Sequence, residues 1–135
     1  MVEVNWLAIV VAAAANMVLG ALWYAPSFFG KAWMKLTGLS AESLEQAKKA
    51  GMAKSYLFMF LSSLLMGYIL ALFLGGAATV FNGLQAGFWL WLGFVATTSL
   101  GSVLFEKQPF GLYAIHNGYH LASLLAMGAI IAGIK

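Results

Sequence analysis

Three stretches of the chain, residues 4–30, 55–105 and 108–134, carry no charged side chain, and apolar residues dominate each of them. A helix crossing a bilayer core needs about 20 such residues. The first and third stretches each accommodate one crossing. The middle stretch would run roughly 75 Å as a single helix, more than twice a hydrocarbon core, so the chain must turn back inside it. Gly75-Gly76 followed by Asn82-Gly83 supplies the turn signal. The pattern therefore predicts four helices, at about 5–26, 55–75, 84–105 and 111–134. This is an all-α, integral membrane four-helix bundle in a single domain covering 1–135.

Between the first and second spans the periodicity changes. Phe28, Phe29, Ala32, Trp33 and Leu36 fall at spacings of one, three and four, with Lys31 and Lys35 on the opposite side. Such a segment lies in the headgroup region as a short amphipathic helix. Gly38 ends it, and Ser40 is placed to cap a second short helix, with Glu42 and Glu45 early and Lys48 and Lys49 late, as the helix dipole favours. The expectation is a cytoplasmic amphipathic connector between helices 1 and 2. Trp6, Trp23, Tyr24, Tyr56 and Tyr113 fall near span ends, where the aromatic belt of a membrane protein sits, and Trp23, Tyr24 and Trp33 are also candidates for an interface.

Composition sharpens the class. Of 135 residues, 63% are hydrophobic and 8% charged, against about a quarter charged in soluble domains. The net charge of +3 does not point to nucleic acid, because the charges sit between apolar spans. Cys is absent, which excludes disulfides, thiolate metal sites and cysteine nucleophiles. Lys31, Lys35, Lys48, Lys49, Lys54 and Lys107 share one side of the predicted bundle and Lys135 lies on the other. The positive-inside rule then puts the first and third loops in the cytoplasm and both termini outside. Glu3 with no preceding Lys or Arg argues against a secretory n-region, so the first helix is expected to be a retained span of a prokaryotic plasma membrane.

Small residues recur every four positions: Ala8, Ala12, Asn16, Gly20; Ser63, Gly67, Ala71, Gly75; Gly83, Gly87; Gly93, Thr97, Gly101; and Gly118, Ala122, Ala126. Such ridges let helices approach closely in lipid, so Gly20, Gly67, Gly101, Gly118 and Ala122 are expected packing positions. A central water-filled pore is disfavoured, and any pathway is expected at a dimer interface or by transient opening. A short echo, Leu19-Gly20 through Trp23-Tyr24 to Pro26 and Leu100-Gly101 through Phe105-Glu106 to Pro109, fits either chance or a parallel repeat of helix pairs.

Chemistry resides in the polar residues at membrane depth. Tyr113, His116, Asn117 and His120 share an arc of roughly 160° on the last helix at about 100° per residue. Asn16 and His120 lie near the bilayer centre and are expected partners, while Glu106, His116 and His120 descend in order from the inner surface. Two readings stand: neutral hydrogen-bonded glue between helices, or a ligand or proton site of Asn16, Glu106, His116, Asn117 and His120. No metal and no cofactor is expected, since two His four apart lack an intervening Glu and Cys is absent. Serine hydrolysis is disfavoured because there is no Asp and no nucleophile context.

Asn5-Trp6, the run Gly20 to Pro26 (Gly-Ala-Leu-Trp-Tyr-Ala-Pro), Phe29-Gly30-Lys31-Ala32-Trp33, Leu104-Phe105-Glu106-Lys107-Gln108-Pro109 and His116-Asn117-Gly118-Tyr119-His120 resemble a prokaryotic family of small membrane proteins, domain of unknown function 1761. The resemblance covers essentially the whole chain and implies four membrane helices with no assigned activity. It further implies an apolar residue before Asn117, which makes His116 a departure and favours Glu106, Asn117 and His120.

The leading expectation is a homo-oligomer, taken as a dimer, that binds or moves a small solute or proton through the polar site. The rival is a structural or accessory subunit docked on a larger membrane complex, and an enzyme ranks third for want of a nucleophile or cofactor signature.

Overall fold

The computed structural model describes residues 4–25, 27–38, 41–51, 53–75 and 78–134, and among them the chain is all-helical. The helices are α1 (Trp6–Trp23), α2 (Gly30–Thr37), α3 (Ala41–Ala50), α4 (Ala53–Leu74), α5 (Val80–Leu104, bent) and α6 (Phe110–Gly133). Glu3, Pro26, Ser40, Gly76 and Lys135, which entered the sequence reading, lie outside the described residues.

Three helices, α1, α4 and α5, are long and apolar enough to cross a membrane. The last, α6, has 24 residues but is interrupted by His116, Asn117 and His120. It is nevertheless the most buried of all, with ten buried residues from Leu112 to Ala132. Its polarity is thus turned inward, which is why a hydropathy average understates it.

Helix starts follow local chemistry. Asn5 caps α1 by accepting from the Ala8 N–H at 3.2 Å. At α5 the sequence reading needs correction: Asn82-Gly83 is not part of the turn. Thr79 is the cap and Asn82 completes a capping box, its Oδ1 accepting from the Thr79 N–H at 2.9 Å, so the helix begins at Val80. α4 ends at Leu74, and Gly75 just past it has a φ of +73°, which favours glycine.

Against α6, α1 and α5 run antiparallel and α4 runs parallel. The C-terminal half of α6 meets α5, and a Cβ on Gly83 would overlap the Gly128 carbonyl while one on Gly87 would overlap that of Leu124. Backbone therefore rests on backbone. On another flank, Gly67 of α4 sits against Ile9 and Met127, where a Cβ would come within 3.2 Å of Ile9 Cγ2. Ile9, Ala12, Leu70, Ala71, Met127 and Ile131 form the apolar core there. Gly20 lies against the Tyr119 ring and Gly118 against Trp23. At the connector end, Leu36 of α2 abuts Gly111, where a Cβ would lie 3.1 Å from Leu36 Cδ1. Ala122 is half-buried on α6.

The predicted ridge of Gly93, Thr97 and Gly101 does not pack. No atom lies within 4 Å of a Cβ built on Gly93, and Gly101 would meet only Phe105 of its own helix. Gly93 lies off the contact face even on a regular helical path, and Gly101 is turned from it by a π-helical turn at Trp91–Val95. A regular α-helix continued from Gly83 and Gly87 at about 3.6 residues per turn would bring Phe94, Thr98 and Gly101 onto α6. The additional residue of the π turn rotates the remainder of α5 away from that path. Ala96 is buried instead, Ser99 and Ser102 are half-buried, and Gly93 and Thr97 face outward.

Gly83→Ala is accordingly expected to cost about 1–3 kcal/mol or more by forcing the α5 and α6 backbones apart. Gly93→Ala should be neutral or stabilise by up to about 1 kcal/mol, because it replaces a helical glycine in open space. Unfolding of the two variants in the same detergent separates them; equal losses would contradict the asymmetric packing.

Candidate functional site

The polar residues fall into two separate groups. The first is a knot around Asn16 of α1, which is 4% exposed. Its Nδ2 donates to Ser63 Oγ of α4 at 2.7 Å, and that hydroxyl donates to the Met59 carbonyl at 2.9 Å. Its Oδ1 accepts from Tyr119 Oη at 2.8 Å and from Ser123 Oγ, both on α6. The expected Asn16–His120 pair therefore does not form: the hydrogen bonds of Asn16 go to hydroxyls on two other helices. Among the described residues no buried side-chain polar atom lacks a partner. This satisfied network joins α1, α4 and α6 in a dry interior, where an open polar group would be costly.

Beside the knot, the end of α1 turns its aromatic rings inward. Trp23 Nε1 donates to the Ile115 carbonyl at 2.9 Å, and Tyr24 Oη lies 2.5 Å from His116 Nδ1. Tyr24 also makes edge contacts with Trp33 and Tyr119, at centroid distances of 5.6 and 5.7 Å. The belt expectation thus fails for Trp23 and Tyr24, which brace α6 and the connector. Trp6 and Tyr56 remain exposed, although Trp6 stacks on Tyr68 at 5.4 Å. The echo between chain halves has no structural counterpart, since Trp23 is half-buried and Phe105 exposed.

The second group lines an open cavity of about 420 Å³ between the far half of α5 and the polar arc of α6. Ser99, Ser102, Glu106 and Gln108 form one wall, and Leu112, Tyr113, His116, Asn117 and His120 the other. Four of the five candidate site residues thus share one cavity, and Asn16 stands apart from it. The π turn helps to shape the hollow. Upstream of it glycines hold the two backbones together; downstream, α5 reaches α6 through side chains. Trp91 Nε1 donates to the Asn117 carbonyl at 2.8 Å, Tyr113 Oη donates to the Ala96 carbonyl at 2.7 Å, and Ser99 Oγ lies 3.2 Å from Asn117 Oδ1. Thr97, Thr98 and Ser99 each return a hydroxyl bond to the carbonyl four residues earlier, a pattern that bends helices.

Within this cavity the residues differ. Glu106 is exposed at the loop end. His116 is held by Tyr24, and Asn117 is fixed between Ser99 and the Tyr113 carbonyl, to which its Nδ2 donates at 3.0 Å. His120 makes ring contact with Tyr119 at 5.4 Å and has no hydrogen-bond partner among the described residues. Those residues contain no cluster of three or more His, Cys, Asp or Glu able to hold a metal.

Reading the chain alone missed Ser63, Tyr119 and Ser123. Serines in membrane helices usually bond their own helix, and Ser63 does so while also receiving Asn16. The available signal was spacing: Tyr119 and Ser123 are four apart, and Ser63 stood in a small-residue ridge.

Residues 7–132 match the family described as "Protein of unknown function (DUF1761)". No curated protein and no solved structure matches the chain.

The two groups respond differently to substitution. Asn16→Ala removes the side-chain acceptor shared by Tyr119 and Ser123, leaving Tyr119 only the backbone carbonyl of residue 16 at 3.1 Å and Ser123 only the Met127 sulfur at 3.8 Å, and is expected to cost about 1–3 kcal/mol. His120→Ala should change stability by less than about 0.5 kcal/mol. Adding Ser123→Ala to Asn16→Ala should cost less than the sum of the single changes, read by unfolding in bicelles; strict additivity would deny the coupling.

Proposed function

The chain belongs to that family of unknown function, and on the geometry we propose that it is a membrane protein that binds, and lets pass, a small polar solute through the cavity between α5 and α6. One observation carries this reading: eight of the nine described residues lining a hollow of about 420 Å³ are polar, in a chain that is 63% hydrophobic. Pockets of about 300–1,000 Å³ hold small molecules. Intramembrane polar groups that are not needed for packing are candidates for function, and His120 meets that description. Glu106, His116, Asn117 and His120 form the site in this proposal. Asn16 belongs to the scaffold.

The proposal includes four membrane crossings, with α6 as the fourth. Its polar arc faces the cavity and its remaining flanks are covered by α1, α4 and α5, so lipid meets little of its polarity. The Lys-rich connector and the loop carrying Lys107 lie on the cytoplasmic side of a plasma membrane, with both termini outside. The cavity then opens near the cytoplasmic surface. A second reading, docking on another copy or another membrane protein, is favoured by the outward ridge of Gly93 and Thr97, which none of the described residues covers. In that case Thr97→Leu lowers the recovered oligomer while His120→Ala leaves it unchanged.

The chain has no native Cys, so single-cysteine variants test the reading without background. Ser102→Cys is expected to react with a small charged thiol reagent in inside-out vesicles and Gly67→Cys to resist it from either side. Lys49→Cys should label from the cytoplasmic side and Phe81→Cys from the other. A Ser102→Cys thiol that stays unreactive from both sides would remove the basis of the proposal.

A further inference from the structure

The hydrogen bonds of the cavity wall also indicate what kind of solute it takes. Resting on the solute-binding reading above, we infer that the cavity selects a small organic cation with several N–H donors, of the amine or guanidine class.

The direction of each proton decides the matter. Ser102 Oγ donates to the Ser99 carbonyl at 2.8 Å, and Tyr113 Oη donates to the Ala96 carbonyl at 2.7 Å. The one hydroxyl proton of Ser99 is directed to the Val95 carbonyl or to Asn117 Oδ1. A hydroxyl has one donor and two acceptor lone pairs, so each of these three lining residues has committed its proton to the protein and retains lone pairs. Asn117 gives one amide N–H to the Tyr113 carbonyl and keeps the other, while its Oδ1 faces the Ser99 hydroxyl and retains lone pairs. The carboxylate of Glu106 adds acceptors only. Among the described residues no Lys or Arg lines the cavity. The imidazoles of His116 and His120 and the amide of Gln108 accept or donate, and so fit either partner. The lining is therefore rich in acceptors and carries a single negative side chain. A ligand that supplies N–H donors and positive charge satisfies those lone pairs; an anion finds too few donors. Charge-assisted bonds to a carboxylate are about twice as strong as neutral ones, which sets the preference for a cation over a neutral donor of the same shape.

One feature opposes this. The N-terminus of α6, where Pro109 is the cap, lies at the loop end of the cavity and its dipole favours anions. The Leu112 and Tyr113 N–H groups, however, already bond the Pro109 carbonyl at 3.1 and 3.3 Å.

Guanidinium and urea have nearly the same shape and differ in charge, and acetate probes the helix end. Calorimetric titration of the full chain in lipid nanodiscs with each probe at millimolar concentration tests the inference. Guanidinium is expected to bind, urea at least threefold more weakly and acetate not measurably. Glu106→Gln, an exposed change that leaves the scaffold intact, should weaken guanidinium threefold or more and leave urea unaltered. Ser102→Ala should weaken both. Binding of acetate or of urea as tight as that of guanidinium, or an unchanged guanidinium affinity in Glu106→Gln, overturns the cation assignment but leaves a solute site standing. If no probe binds, the assignment also falls, and the reactivity of Ser102→Cys then decides separately whether the cavity reading survives.

Discussion

An amide buried among apolar helices must find its partners there, and Asn16 finds them on two other helices at once. Its donor reaches Ser63 and its acceptor takes Tyr119 and Ser123. Each partner fixes a height as well as a direction, so α1, α4 and α6 cannot slide past one another without breaking a bond in a medium that offers no substitute. Apolar packing alone lacks this property in lipid, where one aliphatic contact resembles another. The close fit of Gly67 on Ile9 and Met127, and of Gly20 on Tyr119, depends on the helices being held at that height.

Given that register, α6 becomes the axis of the molecule. Its buried flanks face α1, α4 and the glycine end of α5, and the arc left over carries Tyr113, His116, Asn117 and His120. The scaffold and the cavity are thus built from alternate faces of one helix. Tyr119 belongs to the knot and His120 to the hollow, and their rings touch at 5.4 Å. Tyr24 bridges the groups in another way, bonding His116 on the cavity wall while its ring packs on Tyr119.

The helices were legible in the sequence because charge-free intervals of spanning length leave little choice, and their ends moved by a few residues at most. The polar arc of α6 was legible for the same reason, since four polar positions at helical spacing stand out in an apolar interval. Asn16 was visible as an unusual residue but was matched with the wrong partner. Depth in a predicted span gives height along the membrane normal and says nothing of rotation, and rotation is what sends Asn16 to Ser63 rather than to His120. The rings of Trp23 and Tyr24 misled for a similar reason: a position near a helix end suits a belt and an inward brace equally. The π turn left no trace in composition or spacing, so the ridge from Gly93 to Gly101 read as a packing surface.

That turn governs how the hollow arises and how it would be lost. Residues Trp91–Val95 hold one residue more than a regular helical path between the same two points. Rewind it to a regular helix with every residue kept, and Ser99 and Ser102 swing off the wall while Phe94, Thr98 and Gly101 come round onto α6. Remove one residue as well, and the shortened helix carries Ser99 and Ser102 back to the place they already hold. The turn is thus a spacer of phase: it absorbs a residue that an ordinary helix would have to take up as rotation, and the polar wall lasts as long as winding and residue count change together.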